Sequence, residues 1–250
     1  MKTEPGTPGE DLVEPVERPI EAAKPAAESG ALAAILFAIV SILTVLAVVL
    51  TTVRIFLSPA FIQFEYRTPN FPPDPYGFTR ADRLFWSEIS REYLLNNAGI
   101  DFLSSLRFSD GTPVYNEREL RHMVDVKNVV QSMLKVWYVS LAGLLVLAMW
   151  AWFGGWWRTF RRGLARGGWL TVVLVGLIIF FVLISFGAFF VGFHEVFFSP
   201  GTWIFYYSDT LIRLFPERFW RDAFLTVGIL SVFGGLALAL LFRTERNARA

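Results

Sequence analysis

The sequence predicts an all-α integral membrane protein with four transmembrane helices, a small, mostly helical extracellular cap and a disordered N-terminal tail. Three observations lead to this fold class. Hydrophobic residues make up 54% of the 250 residues and charged residues only 18%, too apolar a composition for one soluble domain to cover with polar surface. Four stretches are apolar and long enough to cross a bilayer, and one short segment between them carries arginines without acids.

Residues 1–30 have the composition of a disordered tail. They hold five prolines, seven acidic and three basic residues, which leaves too little apolar surface to offset the entropy cost of ordering. The start is acidic rather than basic, and the apolar run that follows is too long for the core of a signal peptide. We therefore expect a disordered tail followed directly by the first span.

The predicted spans are the four apolar stretches. The first runs from Ala31 to Val53 without a charged residue and ends at Arg54. At about 1.5 Å per residue, such a helix crosses roughly 30 Å of hydrocarbon. The other three are residues 134–153, 169–191 and 224–242, with Lys135 close enough to an end for its ammonium to reach the interface.

The segment between the second and third spans predicts the orientation. Residues 154–168 contain four arginines and no acid, and a short segment of this kind stays in the cytoplasm: Arg158, Arg161, Arg162 and Arg166. By alternation, the N-terminal tail and the C-terminal residues 243–250 are cytoplasmic. Residues 55–133 and 192–223 are then extracellular.

The extracellular segment 55–133 is long enough to form a small folded cap. Arg67–Phe78 holds four prolines and should be irregular, and the apolar spacing that follows predicts a helix over 78–96 with Thr79 as a possible N-cap. A second helix should begin near Asn116, with Glu119 three residues later as the partner of a capping box, and continue into the second span.

Composition and motifs also exclude several functions. A net charge of +1 argues against a nucleic-acid partner, so the expected partners are membrane lipids and lipidated molecules. Without cysteine there can be no disulfide and no thiolate nucleophile. No G-x-S-x-G elbow supports a serine hydrolase, and the middles of the spans hold no ionisable residue of the kind that transporters use.

The two histidines are the candidate catalytic residues. His122 lies on the helix that enters the second span and His194 lies just beyond the third, so the topology brings both to the outer membrane interface. Imidazole titrates near neutral pH and suits proton transfer in either direction. Glu119 and Asp125 are each one helical turn from His122 and are candidates to orient it. Glu195 is adjacent to His194, but neighbouring side chains on a helix point in different directions, so its role is less defined.

Two other interpretations of these histidines stay open. A single interfacial histidine is more often a hydrogen-bonded structural residue, although two converging ones favour a shared site. With a carboxylate as third donor, they would also suit zinc or iron, but the chain has neither an HExxH pattern nor a dense ligand cluster.

Aromatic residues are concentrated around His194. This enrichment fits an interfacial aromatic belt, or an apolar chamber that excludes water and holds acyl chains beside the histidines. The residues concerned are Phe189, Phe190, Phe193, Phe197, Phe198, Trp203, Phe205, Tyr206, Tyr207, Phe215, Phe219 and Trp220.

Three segments resemble the bacterial lipoprotein intramolecular transacylase family: Tyr115–Lys127, Phe193–Phe198 and Asp209–Pro216. The likeness covers about residues 31–243 and includes the four-span plan with an outer cap, the contexts of both histidines and the aromatic surround. It implies an enzyme of the bacterial plasma membrane that acts on a diacylglyceryl lipoprotein. An acyl chain would move from the sn-2 glyceryl oxygen to the amine of the N-terminal cysteine, which yields a lyso-form lipoprotein.

For this reaction we expect His122 and His194 to form the acid–base pair, with Asp125 or Glu119 orienting His122; the sequence leaves open which histidine is the base. No cofactor is expected, because the substrate carries its own acyl donor. Arg118 and Arg121 would bind substrate carbonyls or, more simply, solvate the cap. Two other classes remain: a non-catalytic membrane scaffold or regulator of the same fold, and a metal-dependent membrane hydrolase.

Overall fold

The computed structural model describes residues 1–2 and 28–243, and the regular structure within them is helical, with one isolated bridge between Arg107 and Pro113. The expected disordered tail and the end of the chain fall mainly in residues 3–27 and 244–250, outside the described part. The helices are α1 (Glu28–Phe56), α2 (Pro59–Glu65), α3 (Arg80–Leu95), α4 (Asp101–Ser104), α5 (Glu117–Phe153), α6 (Trp157–Ile184), α7 (Phe186–Phe197), α8 (Thr210–Leu214) and α9 (Glu217–Leu241).

Helices α1, α5, α6 and α9 are long and apolar enough to span a membrane. They confirm the predicted fold class, an all-α integral membrane protein with four transmembrane helices. Helix α5 is longer than a bilayer requires, so its first turns extend beyond the apolar span into the cap.

The segment expected to be a basic loop, residues 154–168, is helical over most of its length. Only Gly154–Trp156 forms the turn, in which Gly155 has a φ of +73°, and α6 begins at Trp157. Charged residues mark where the hydrocarbon ends, but arginine is a good helix former and does not end a helix. The four arginines therefore lie on α6 itself.

The third span, expected as one helix over 169–191, is divided between two helices in the structure. Helix α6 ends at Ile184, Ser185 leaves the helical region with φ −153° and ψ 85°, and α7 begins at Phe186. The residues on both sides of Ser185 are apolar, so hydropathy shows no sign of this break. Helix α9 likewise begins at Glu217, before the expected start at residue 224, because Pro216 suits a helix start and an acid suits the first turn.

Helix α6 lies in the middle of the bundle and packs on both α1 and α9 through glycines. A Cβ atom at Gly168 would overlap the backbone oxygen of Gly235, and one at Gly167 would lie 2.5 Å from Cβ of Thr44. Small residues allow such close approach of membrane helices. Thr52 of α1 and Ser231 of α9 also share a buried hydrogen bond of 2.7 Å.

The cap is built from α2, α3, α4 and the start of α5, with α8 packed into it. Its core contains Tyr93, Leu103, Val114, Tyr115, Met123, Leu211 and Leu214. A capping box between Thr79 and Asp82 begins α3, which confirms the predicted helix start. The side chain of Arg213, on α8, pairs with Asp74 at 3.0 Å. This ion pair thus joins the segment after the third span to the part of the cap that precedes the second span.

Candidate active site

His122 lies in the second turn of α5, and the start of this helix is set by Asn116. The side-chain oxygen of Asn116 accepts hydrogen bonds from the backbone N–H groups of Arg118 (3.0 Å) and Glu119 (3.1 Å). The Glu119 carboxylate in turn accepts from the Asn116 N–H at 2.8 Å. This capping box confirms the predicted helix start and determines where along the cap His122 is held.

His194 lies in the last turn of α7. Its Nδ1 is 2.8 Å from the backbone oxygen of Phe190, one turn earlier on the same helix. A carbonyl oxygen can only accept, so Nδ1 carries the proton in this hydrogen bond. In the neutral ring, Nε2 of His194 therefore keeps a free lone pair.

The structure brings the two histidines together, as the topology predicts. Their ring centroids are 6.2 Å apart and the rings are tilted by only 19°. Each residue is 8% exposed. One small polar group of a substrate could contact both rings at this separation.

Aromatic rings surround the pair and form what we call the aromatic cage. His194 has four aromatic neighbours with centroids 4.0 to 5.6 Å from its own, and His122 has two at 5.0 and 5.2 Å. The cage consists of Phe190, Phe193, Phe198, Trp203 and Phe205. Phe219 and Trp220, which the aromatic enrichment also included, pack with Phe61, Tyr66 and Ala223 at the base of the cap, and the ring centroid of Trp220 also lies 6.5 Å from that of Phe190 of the cage.

Burial in this cage determines the charge of His194. It lowers the pKa of the imidazole from its ordinary value of 6.5, and the hydrogen bond to the Phe190 carbonyl raises it by less. The ring is therefore mostly neutral at pH 7 and can accept a proton at Nε2.

Two buried nitrogens, one in the histidine pair and one in the cage, have no hydrogen-bond partner within the described residues. They are Nδ1 of His122 and the indole Nε1 of Trp203. An unpaired buried polar group costs roughly 1–3 kcal/mol, so native proteins seldom keep one without a reason. The sequence shows Trp203 as one of many aromatic residues, and nothing in it distinguishes this indole from the others.

The two carboxylates expected to orient His122, Glu119 and Asp125, differ in their surroundings. Glu119 is 1% exposed and its second oxygen accepts the N–H of Leu211 at 2.7 Å, which joins α5 to α8. Asp125 is half-buried. Among the described residues, neither carboxylate hydrogen-bonds to His122.

The chain that covers the histidines is anchored at Asp209. Its carboxylate pairs with Arg118 at 2.6 Å and accepts a hydrogen bond from the Asn116 side chain at 3.1 Å. The guanidinium of Arg118 also lies over the rings of Phe205 and Tyr206. Arg118 therefore has a structural partner that the sequence does not reveal.

The described residues also form a surface cleft, which does not include the histidines. An open cleft of about 460 Å³ on the cap is lined by Ser104, Arg107, Pro113, Tyr115, Asn116, Glu117 and Leu120. No group of three or more histidine or carboxylate side chains with metal-site geometry occurs in the described chain.

Comparison with known proteins finds a matching family and a relative of similar length. The family described as lipoprotein intramolecular transacylase Lit matches residues 35–220. An uncharacterised protein of Aquifex aeolicus (strain VF5) is 32% identical over 194 residues, 75% of this chain and 84% of that protein.

Solved structures of one membrane-integral protein share the fold. They are in meso structures of the lipoprotein intramolecular transacylase Lit from Bacillus cereus. One is 19% identical, covers 86% of this chain and 95% of its own, and has a TM-score of 0.61. A variant with a histidine-to-alanine mutation is 20% identical, covers 86% and 94%, and has a TM-score of 0.68. The match over residues 35–220 shows that this chain belongs to the lipoprotein intramolecular transacylase family, Lit.

Proposed function

We propose that this enzyme moves an acyl chain within a diacylglyceryl lipoprotein, from the sn-2 glyceryl oxygen to the amine of the N-terminal cysteine. His122 and His194 act as the acid–base pair. The observation that carries this proposal is the pairing of the two histidine rings, with centroids 6.2 Å apart, inside the aromatic cage. Membership of the family supports the substrate class and the type of reaction.

His194 is the base in this proposal. The substrate amine attacks in its neutral form, and its lone pair forms a C–N bond with the ester carbonyl carbon while the carbonyl π electrons move onto oxygen. The proton that the nitrogen must then lose passes to Nε2 of His194. This assignment is supported by the Nδ1 hydrogen bond to Phe190, which leaves Nε2 as the free acceptor.

His122 completes the transfer. As the carbonyl re-forms, the C–O bond to glycerol breaks, and the departing oxygen takes a proton from the ring of His122. In the same step His122 takes the proton of the His194 imidazolium at its other nitrogen, so no imidazolate forms and both rings end neutral. The product has one new amide and one free hydroxyl, and its mass is unchanged.

The cage provides proximity and exclusion of water. Because the amine and the ester belong to one molecule, holding them together can contribute about 7–11 kcal/mol to the lowering of the barrier. Water in the same site would compete with the amine for the ester. Burial of both histidines among phenylalanine and tryptophan rings is suited to keeping water out.

The same proposal includes the orientation in a bacterial plasma membrane. The arginines on α6 lie at one end of the bundle and the histidines at the other, so the positive end should face the cytoplasm. Both chain ends are then cytoplasmic. The histidine pair lies at the outer face, where it meets the lipid end of exported lipoproteins.

The test is to express the chain in a bacterium that makes diacylglyceryl lipoproteins and to map the acyl groups on the N-terminal cysteine by mass spectrometry. An acyl chain on the amine at unchanged total mass is the expected result. A free amine with both glyceryl esters intact, in cells that contain the folded protein, would reject the proposal and favour a scaffold. Loss of an acyl chain to water would instead indicate a hydrolase.

A further inference from the structure

We propose that Trp203 is a further catalytic residue, whose indole N–H donates a hydrogen bond to the ester carbonyl oxygen as negative charge develops there. The inference rests on the acyl transfer proposed above and adds the group that stabilises its tetrahedral intermediate. Trp203 transfers no proton: the hydrogen bond strengthens as the C–N bond forms and weakens as the C–O bond breaks.

Position and chemistry single out this indole. Its ring centroid is 4.8 Å from that of His194, the proposed base. The other cage residues, Phe190, Phe193, Phe198 and Phe205, have no side-chain donor. Trp203 therefore supplies the one N–H among the aromatic side chains that the structure shows around the pair.

The polar atoms of the cage match what an ester offers. The Trp203 N–H is buried and finds no acceptor in the described chain, and Nδ1 of His122 is buried without a partner in the same cage. An ester brings acceptor oxygens for the donor. Both unpaired nitrogens belong to rings that pack on His194, with centroids 4.8 Å (Trp203) and 6.2 Å (His122) from its own, so an ester bound beside His194 would lie near both.

The other nearby hydrogen-bond donors that could stabilise the oxyanion already have a partner or another role. Both histidines are needed for proton transfer, and Nδ1 of His194 is held by Phe190. The guanidinium of Arg118 is paired with Asp209. The reaction requires a donor aimed at the developing charge, and the indole N–H is free to be that donor.

Trp156 provides a matched control. Its indole N–H is also buried and unpaired in the described chain. It lies in the turn between α5 and α6, packed on Trp150 and Phe160, at the opposite end of the bundle from the histidines. Trp156→Phe and Trp203→Phe therefore remove the same group, and only one of them removes it from the cage.

The experiment measures conversion of a diacylglyceryl-cysteine peptide to the lyso form by the purified full-length enzyme in lipid. We expect Trp203→Phe to lower kcat by about 100-fold with little change in KM, as for the loss of one oxyanion donor. Trp156→Phe should retain the wild-type kcat. Trp203→His, which keeps a ring donor, should recover part of the loss. The inference is overturned if Trp203→Phe matches Trp156→Phe in kcat.

Failure of the proposed function and failure of the Trp203 inference give different results. If the wild type makes no lyso product, the proposed function itself fails. If the Trp203→Phe protein does not fold, the indole of Trp203 is labelled with ¹⁵N in the wild type and a phosphonate analogue of the sn-2 ester is added. A downfield shift of the indole proton supports the hydrogen bond, and an unmoved resonance rejects it.

Discussion

At the residue scale, His194 carries its own orienting group. The helix that presents it also supplies the carbonyl of Phe190, which selects the ring tautomer without a carboxylate. A buried neutral imidazole with a free Nε2 is then available at pH 7, although no carboxylate of the described chain hydrogen-bonds to it. The roles proposed for the pair therefore do not require Glu119 or Asp125, neither of which hydrogen-bonds to His122 in the described chain.

Removal of either ring tests the pair. We expect His194→Ala and His122→Ala each to lower lyso-form production by roughly 10²–10⁴-fold, the usual contribution of a general acid or base. Mass spectrometry of the lipoprotein N-terminus measures the loss, and thermal unfolding shows whether each variant folds. Retained activity in either folded variant would remove that histidine from the mechanism.

Glu65 is a buried carboxyl outside the site, at the base of the cap. Burial raises the pKa of Glu65 from its ordinary 4.5 to about 7, and nearby Asp222 adds to the rise. The folded protein thus holds this proton more tightly than the unfolded chain. Its contribution to stability is fully present below pH 4.5 and is lost as the pH rises to about 7.

Glu65→Gln should therefore remove a pH dependence. The wild type should unfold at progressively lower temperature as the pH rises from 4.5 to 7, and the variant should show a smaller slope. Glu92→Gln, which changes an exposed carboxylate on α3, is the control and should keep the wild-type slope. Equal slopes for all three proteins would show that folding does not raise the pKa of Glu65.

At the element scale, the segment between α7 and α8 covers the histidines and is held at one end by Asp209. Phe205 contacts His122 and Trp203 contacts His194, so both rings depend on how this segment is anchored. The pair between Arg118 and Asp209 joins it to the first turn of α5. Arg118, the partner of Asp209, and His122 are thus on the same helix.

Breaking this ion pair should loosen the cage. We expect Asp209→Ala and Arg118→Ala to lower kcat/KM to a similar degree, and the double variant to lose little more than either single one. Arg121→Ala is the control, because Arg121 and Glu117 form an exposed pair at 3.7 Å on the same turn of α5. Additive losses in the double variant would mean that the two side chains act independently.

At the scale of the whole molecule, close contacts of α6 with its neighbours determine the shape of the bundle. Gly168→Ala places a methyl group against the backbone of α9, and overpacking of this kind costs about 1–3 kcal/mol. Gly176→Ala, on the same helix, meets no atom within 4 Å and should be tolerated. Thermal unfolding in detergent compares the two, and equal stability would contradict the proposed role of the contact.

The orientation in the membrane can be measured directly because the chain has no cysteine. We expect Ser109→Cys, on the cap, to react with a membrane-impermeant maleimide in intact cells. Arg162→Cys, on α6, should react only after the membrane is opened. The reverse pattern would place the histidine pair on the cytoplasmic side.

The sequence by itself determined the features that depend on composition and local spacing. Four apolar stretches predict four spans because a bilayer selects for length and hydropathy, whatever the packing. Thr79 and Asn116 predict helix starts because a cap needs only a side chain within three residues of the backbone it satisfies. The proximity of the two histidines followed from counting membrane crossings.

Only the tertiary structure decided which groups meet. The partner of Arg118 and the unpaired indole of Trp203 depend on contacts between distant segments. The break at Ser185 and the tautomer of His194 depend on the path of an apolar backbone, which hydropathy does not show. Glu119 shows the difference most clearly. Its spacing suits both a helix cap and His122. In the structure its two oxygens accept hydrogen bonds from the backbone N–H groups of Asn116 and Leu211, which satisfies a buried carboxylate.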